Sequence, residues 1–225
     1  MPGDTRLPQP GVNNYWFLDR RTETVIVFVH GILSDSRGCW LHIDARDPSQ
    51  NRYWPAIIEG DARFTEASVY MGGYYTKVDA GPYEIRNCAD ELFRALKRTD
   101  ESGSPPVMNR ERILFVCHST GGIVVRYLLE SNAEAFRNKS VGLLLIASPS
   151  YGSEWADKLS LLSRFYNQSL GIQLQWGSWS LSDLDARFKE LINNRDLPSF
   201  IGLEAYENRF IFHRKWLPDK HVVVT

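Results

Sequence analysis

Short, continuously apolar runs recur along the chain, each closed by small or polar residues. TVIVFV (Thr24–Val29) ends at His30-Gly31, RILFVC (112–117) at His118-Ser119, and VGLLLIA (141–147) at Ser148-Pro149. Runs of this length, rich in β-branched residues, predict strands buried on both faces. ASVYMGGYY (67–75) predicts a further strand, broken or bulged at Gly72-Gly73. FIGLEAY (200–206) predicts a fifth and HVVVT (221–225) a sixth. Between the runs the period changes. Within residues 83–98, Ile85, Ala89, Leu92, Phe93 and Leu96 fall at helical spacing, and GSPP (103–106) closes that unit. GGIVVRYLLE (121–130) predicts the next helix, and residues 154–167 and 184–193 two more. Strands alternating with helices predict an α/β fold, a mainly parallel sheet covered on both faces with right-handed crossovers.

At 225 residues the chain suits a single domain with a sizeable core. Residues 1–22 read as an N-terminal extension and 150–198 as a cap or lid. Apolar residues make up 43% and charged residues 24%, as in ordinary globular proteins. With 26 basic and 27 acidic residues the net charge is −1, which gives no electrostatic case for nucleic acid. The polar, Pro-rich start MPGDTRLPQPG lacks the apolar core of a signal peptide, and no run reaches the roughly 18 apolar residues of a membrane span. Cys39, Cys88 and Cys117 are widely spaced, with no CxxC pair, so neither a disulfide framework nor a zinc site is expected. These features together predict a cytoplasmic protein without metal or cofactor.

In a parallel sheet of this kind, sites gather at the carboxyl ends of the strands. Ser119 stands at such an end, where a strand must turn into a helix within about two residues and small neighbours are needed. Gly121 meets that need on one side. On the other, Cys117 replaces the glycine of the usual G-x-S-x-G pattern. The turn lifts the serine hydroxyl out of the sheet. It also places the Thr120 N–H at a helix N-terminus, where partial positive charge suits an oxyanion. Upstream, VFVHGILSD offers the Ile32 N–H as a second oxyanion donor, with Gly31 admitting close approach. The plainer alternatives are a serine helix cap and a strand-ending turn with a packed His30. Both motifs in this order favour the catalytic reading.

HGI, CHSTGG and ASPSYGS (147–153) resemble the α/β-hydrolase fold. More narrowly they are similar to its lipase-like branch with the GPI inositol-deacylases and the serine-active-site phospholipid-remodelling proteins. Trp40, Trp54-Pro55 and Tyr206-Glu207 fit that resemblance, which covers roughly residues 24–225. Departures from the family pattern are Cys117 for Gly, Thr120 for Met, and Tyr151 for His or Arg. The resemblance implies ester hydrolysis, or acyl transfer to an alcohol, on a lipid-like substrate.

A serine nucleophile needs a base, and the base an orienting carboxylate. In this fold the acid and then the histidine follow the serine. Glu207, just past FIGLEAY, is the preferred acid; Asp219 is its rival, and Glu204 lies inside the strand. The base belongs in the loop after the last strand. Of the five histidines only His213 and His221 follow Ser119, and neither follows that strand. The chain is therefore expected to be incomplete at its C-terminus, with the histidine in the continuation. His30, Leu33, Trp40, His118 and Tyr151 are the expected substrate-pocket residues. Trp176 and Trp179 suggest a lid suited to acyl chains or a membrane surface, or else core packing. The function so read is a serine hydrolase of acyl or lipid esters. An acyltransferase, or a non-catalytic hydrolase-fold module serving as effector or sensor beside further domains, is the alternative.

Overall fold

Val25, Val27 and Val29 face one side of a sheet and Ile26 and Phe28 the other, and all are buried. That double burial explains why the run is apolar without alternation. The computed structural model describes residues 7–32, 34–75, 84–100, 103–148, 177–205, 210–211 and 223–224. Its main sheet has six strands: β1 (Tyr15–Leu18), β2 (Thr24–Val29), β5 (Ala67–Gly72), β6 (Arg112–His118), β7 (Ser140–Ile146) and β8 (Ser199–Ala205). They lie in the order β1-β5-β2-β6-β7-β8. All neighbours are parallel except β1, which pairs antiparallel with β5 at the edge. Two short strands, β3 (Leu41–His42) and β4 (Arg52–Tyr53), pair in a small ladder beside α1 (Trp54–Gly60).

On one face α2 (Ile85–Leu96) and α3 (Thr120–Ser131) bury Leu92, Leu96, Val124, Val125, Leu128 and Leu129 against the valines of β2 and Phe115 and Cys117 of β6. The helical spacing of α2 follows from this: its buried positions Cys88, Ala89, Leu92, Ala95 and Leu96 form one stripe. On the other face, Phe28 meets Trp40 edge-on, with ring centroids 4.9 Å apart, and Tyr53, Val69 and Met71 complete the layer. After α4 (Ala133–Phe136) the chain enters β7.

Three elements differ from the sequence expectation. Residues 15–18, read as part of an extension, form the edge strand β1, with Tyr15 opposite Met71 and Trp16 opposite Tyr70. YWFL is apolar but only four residues long, follows a polar, Pro-rich start, and pairs with a partner far along the chain, so its local signal is weak. Part of the expected cap is a layer of the body. Helix α5 (Gly177–Asn193) buries Leu184, Phe188 and Leu191, and ion pairs join Arg126 to Asp185 and Arg187 to Glu130 across to α3. The rest of the expected cap, including the helix over 154–167, lies outside the described residues. Finally, the apolar C-terminal run does not join the main sheet: β10 (Val223–Val224) pairs antiparallel with β9 (Phe210–Ile211) in a separate ladder.

The registers align the carboxyl ends of the parallel strands. Val29 stands opposite Gly72 on one side and Cys117 on the other, Cys117 opposite Leu145, and Ile146 opposite Ala205. His30-Gly31, Gly73, Ser119 and Ala147 therefore meet along one edge.

Candidate active site

Ser119 occupies the single residue between β6 and α3, with φ 52° and ψ −125°. A side chain in that region of conformational space is strained, so the surroundings must hold it there. They do so from both sides. The Ser119 N–H donates to the Ile146 carbonyl at 2.9 Å, extending the β6–β7 ladder, while the Gly122 N–H donates to the Ser119 carbonyl at 3.1 Å. The strand is still paired at the residue where the helix begins.

The start of α3 is pressed onto the end of β2. A Cβ at Gly121 would stand 2.6 Å from the His30 carbonyl oxygen and 2.7 Å from that of Val29. A Cβ at Gly31 would stand 3.0 Å from Ser119 Cβ, so the loop after β2 passes directly over the serine. Cys117, where the usual pattern has glycine, is fully buried among β2, β7 and α3. Burial pushes its thiol far above the usual range, so it packs as a small neutral side chain.

The peptide unit joining Gly31 to Ile32 is held at both ends. His30 Nδ1–H donates to the Gly31 carbonyl at 2.8 Å, and the Ile32 N–H donates to Thr120 Oγ1 at 2.8 Å. A carbonyl only accepts, so the His30 proton resides on Nδ1. His30 is 0% exposed and stacks on Tyr74, with centroids 4.9 Å apart. Burial holds its pKa below the usual 6.5. The structure therefore puts His30 behind the loop, as a support packed in the core.

Trp40 is also buried. Its ring lies 6.3 Å from that of His118 and 5.8 Å from that of Trp54, which is half exposed. These three rings form an aromatic cluster that begins at His118, the residue before Ser119, and ends at the exposed Trp54. His118 is half-buried at the end of β6. Leu33, Tyr151, Glu207, Asp219, His213 and His221 lie outside the described residues. Among the described residues, no three His, Cys, Asp or Glu side chains form a metal-binding group, and no helix is long and apolar enough to cross a membrane.

Two organisers of the loop carry no strong sequence signal. Asp35 accepts from the N–H groups of Gly38 (2.6 Å), Gly11 (2.7 Å) and Arg37 (3.0 Å). Partial burial raises its pKa, but these three donors outweigh that and leave it below the usual carboxylate value. Asn13 Oδ1 accepts from the Ser36 N–H (3.0 Å) and from Ser36 Oγ (2.6 Å). The segment before β1 thus fastens the loop over Ser119. SDSRG does read as an Asp-initiated turn, but the contacts to Gly11 and Asn13 span more than twenty residues.

The sheet order, the strained serine between β6 and α3, and the glycine-lined loop after β2 define the α/β-hydrolase fold. Among solved structures, the chain is similar to phospholipase PlaB from Legionella pneumophila in complex with thio-NAD, at TM-score 0.55 and 16% identity. That match covers 80% of this chain and 36% of the other, so the chain spans little more than a third of PlaB. It is also similar to the mature lipase BlEst2 from Bacillus licheniformis, at TM-score 0.50 and 16% identity, covering 86% of this chain and 72% of the other. No family model matches the chain, and no curated protein does.

Proposed function

We propose that the chain is a serine hydrolase that cleaves carboxylic esters of acyl or lipid type through an acyl-enzyme on Ser119. The observation that carries this reading is the backbone of Ser119, strained at φ 52° between a paired strand and a helix packed against carbonyls. A helix cap has no need of such a conformation, because ordinary caps are extended. An exposed nucleophile at the carboxyl edge of the sheet does need it.

In the proposed reaction Ser119 Oγ attacks the ester carbonyl and passes its proton to a histidine. Negative charge gathers on the carbonyl oxygen, which the Thr120 and Ile32 N–H groups receive. Collapse breaks the bond to the alcohol, which leaves with the proton from the histidine. Water then repeats the sequence on the acyl-enzyme and releases the acid. Glu207 orients the histidine. It follows β8 by two residues, and the end of that strand lies beside Ile146 at the edge where Ser119 stands. Asp219 is the alternative acid. The preference for lipid-like esters rests on the motif resemblance to GPI inositol-deacylases and phospholipid-remodelling proteins, and on the aromatic cluster of Trp40 and Trp54 next to His118.

A non-catalytic hydrolase-fold module is the second reading, favoured by one observation: the Ile32 N–H is already engaged by Thr120. A fluorophosphonate probe separates the two. The catalytic reading expects covalent labelling of Ser119, lost in Ser119→Ala together with about 10³-fold or more of any esterase rate. A folded protein that resists the probe supports the module.

A further inference from the structure

The Ile32 N–H is one of the oxyanion donors in the reading above, yet it points at a side chain of the same protein. Thr120 is 3% exposed, and its hydroxyl takes this N–H at 2.8 Å. Tyr74 O–H donates to the His30 carbonyl, two residues before Ile32, at 2.9 Å. Two bonds thus hold the turn over residues 30–32: Ile32 N–H to Thr120 Oγ1 and Tyr74 O–H to the carbonyl of His30. Ile32 packs against the cluster of Ile123 and Leu184, which anchors the loop on α3 and α5.

We propose that Thr120 is a latch on the oxyanion hole: its hydroxyl holds the Ile32 N–H, and the hole is complete only when that hydrogen bond opens. This inference rests on the serine-hydrolase reading. The residue after the nucleophile supplies its backbone N–H to the oxyanion, while its side chain withholds the second donor. A negatively charged oxyanion is a stronger acceptor than a neutral hydroxyl, so the tetrahedral intermediate can draw the N–H away. The ground-state ester carbonyl is a weaker competitor. The latch therefore opposes the early part of the reaction most, and Thr120 acts as a positioning residue through Ile32.

Removing the hydroxyl while keeping the shape should release the donor. Thr120→Val is expected to raise the fluorophosphonate labelling rate and kcat for short p-nitrophenyl esters by about two- to tenfold, the equilibrium weight of one hydrogen bond. KM should stay nearly constant, since the donor acts on charge that develops only in the transition state. Thr120→Ser, which keeps the hydroxyl, should restore the parent rate. Thr120→Ala provides a second hydroxyl-free variant if valine disturbs packing. Hydrogen exchange at the Ile32 amide reads the contact without any turnover. Protection is expected in the parent and in Thr120→Ser, and its loss in Thr120→Val and Thr120→Ala. An Ile32 amide that exchanges equally fast in parent and valine variant overturns the latch. So does an amide released as expected with no gain in labelling or kcat. If no variant is labelled while the amide behaves as expected, the hydrolase reading itself has failed and takes the latch with it.

Discussion

Gly121 and His30 approach so closely that a single methyl group between them has no room: a Cβ at position 121 would lie 2.6 Å from the His30 carbonyl oxygen. The contact joins the first turn of α3 to the end of β2, and so fixes the serine turn relative to the loop above it. Neither partner is a flexible side-chain tip, so only backbone movement can relieve the clash.

Gly121→Ala is therefore expected to destabilise the protein by about 1–3 kcal/mol, the usual cost of overpacking a well-filled interior. Urea unfolding should show a lower midpoint at unchanged slope. Labelling of Ser119 should also slow, because the displaced helix carries Thr120. A variant as stable and as reactive as the parent would show that this approach does not hold the turn.

The strain at Ser119 predicts an unusual order of stability. With φ 52° and ψ −125°, glycine fits the backbone better than any residue bearing a Cβ. Ser119→Gly should exceed Ser119→Ala in unfolding free energy, by an amount on the order of 1–2 kcal/mol, although both lose the hydroxyl. Equal stabilities in denaturant would mean that the turn is relaxed in solution.

At the opposite end of the sheet, Arg110 and Asp19 form an ion pair at 2.6 Å, with side chains only 7% and 10% exposed. Arg110 also donates to the Thr22 carbonyl at 2.9 Å and lies over the Trp16 ring, so it fastens the segment around β1. Asp19→Ala leaves the guanidinium buried without its counter-charge and should cost about 3–5 kcal/mol. Pairing it with Arg110→Met should recover much of that loss. A single variant that unfolds at the parent's denaturant concentration would contradict the buried pair.

His30 makes stability depend on pH in a defined direction. Burial lowers its pKa from the usual 6.5, so on acidification the unfolded chain takes up the proton first. The stability it contributes is complete above about pH 6.5 and is lost below it, down to the lowered native pKa. The slope is at most about 1.4 kcal/mol per pH unit. His30→Asn keeps a donor near the Nδ1 position but cannot titrate. Comparing unfolding midpoints at pH 7.5 and 5.5, the parent should lose more stability than the variant; identical losses would exclude His30 as the source.

The strands β2, β6 and β7, the helix α3 and the place of Ser119 at a strand-to-helix turn were all legible in the sequence. Each is specified by neighbours: an unbroken apolar run for a strand buried on both faces, a helical period for α3, and small residues at the turn between them. The edge strand β1 was not legible, because YWFL acquires its state only by pairing with β5, and Tyr15 and Met71 are joined by no local pattern. The fate of residues 184–193 was half legible. Their helical period is local, but whether the helix covers a site or fills the body depends on the face that α3 offers to Leu184, Phe188 and Leu191. The sequence also marked Ile32 and Thr120 as neighbours of one oxyanion. The bond between them links residues 88 apart and exists because β2 and β6 pair in register, with Val29 opposite Cys117. Local composition determined which residues gather at the edge of the sheet. Only tertiary packing decided that the threonine hydroxyl would meet the isoleucine N–H there, because a hydrogen bond depends on a few tenths of an ångström and a direction, and neither is written in the order of residues.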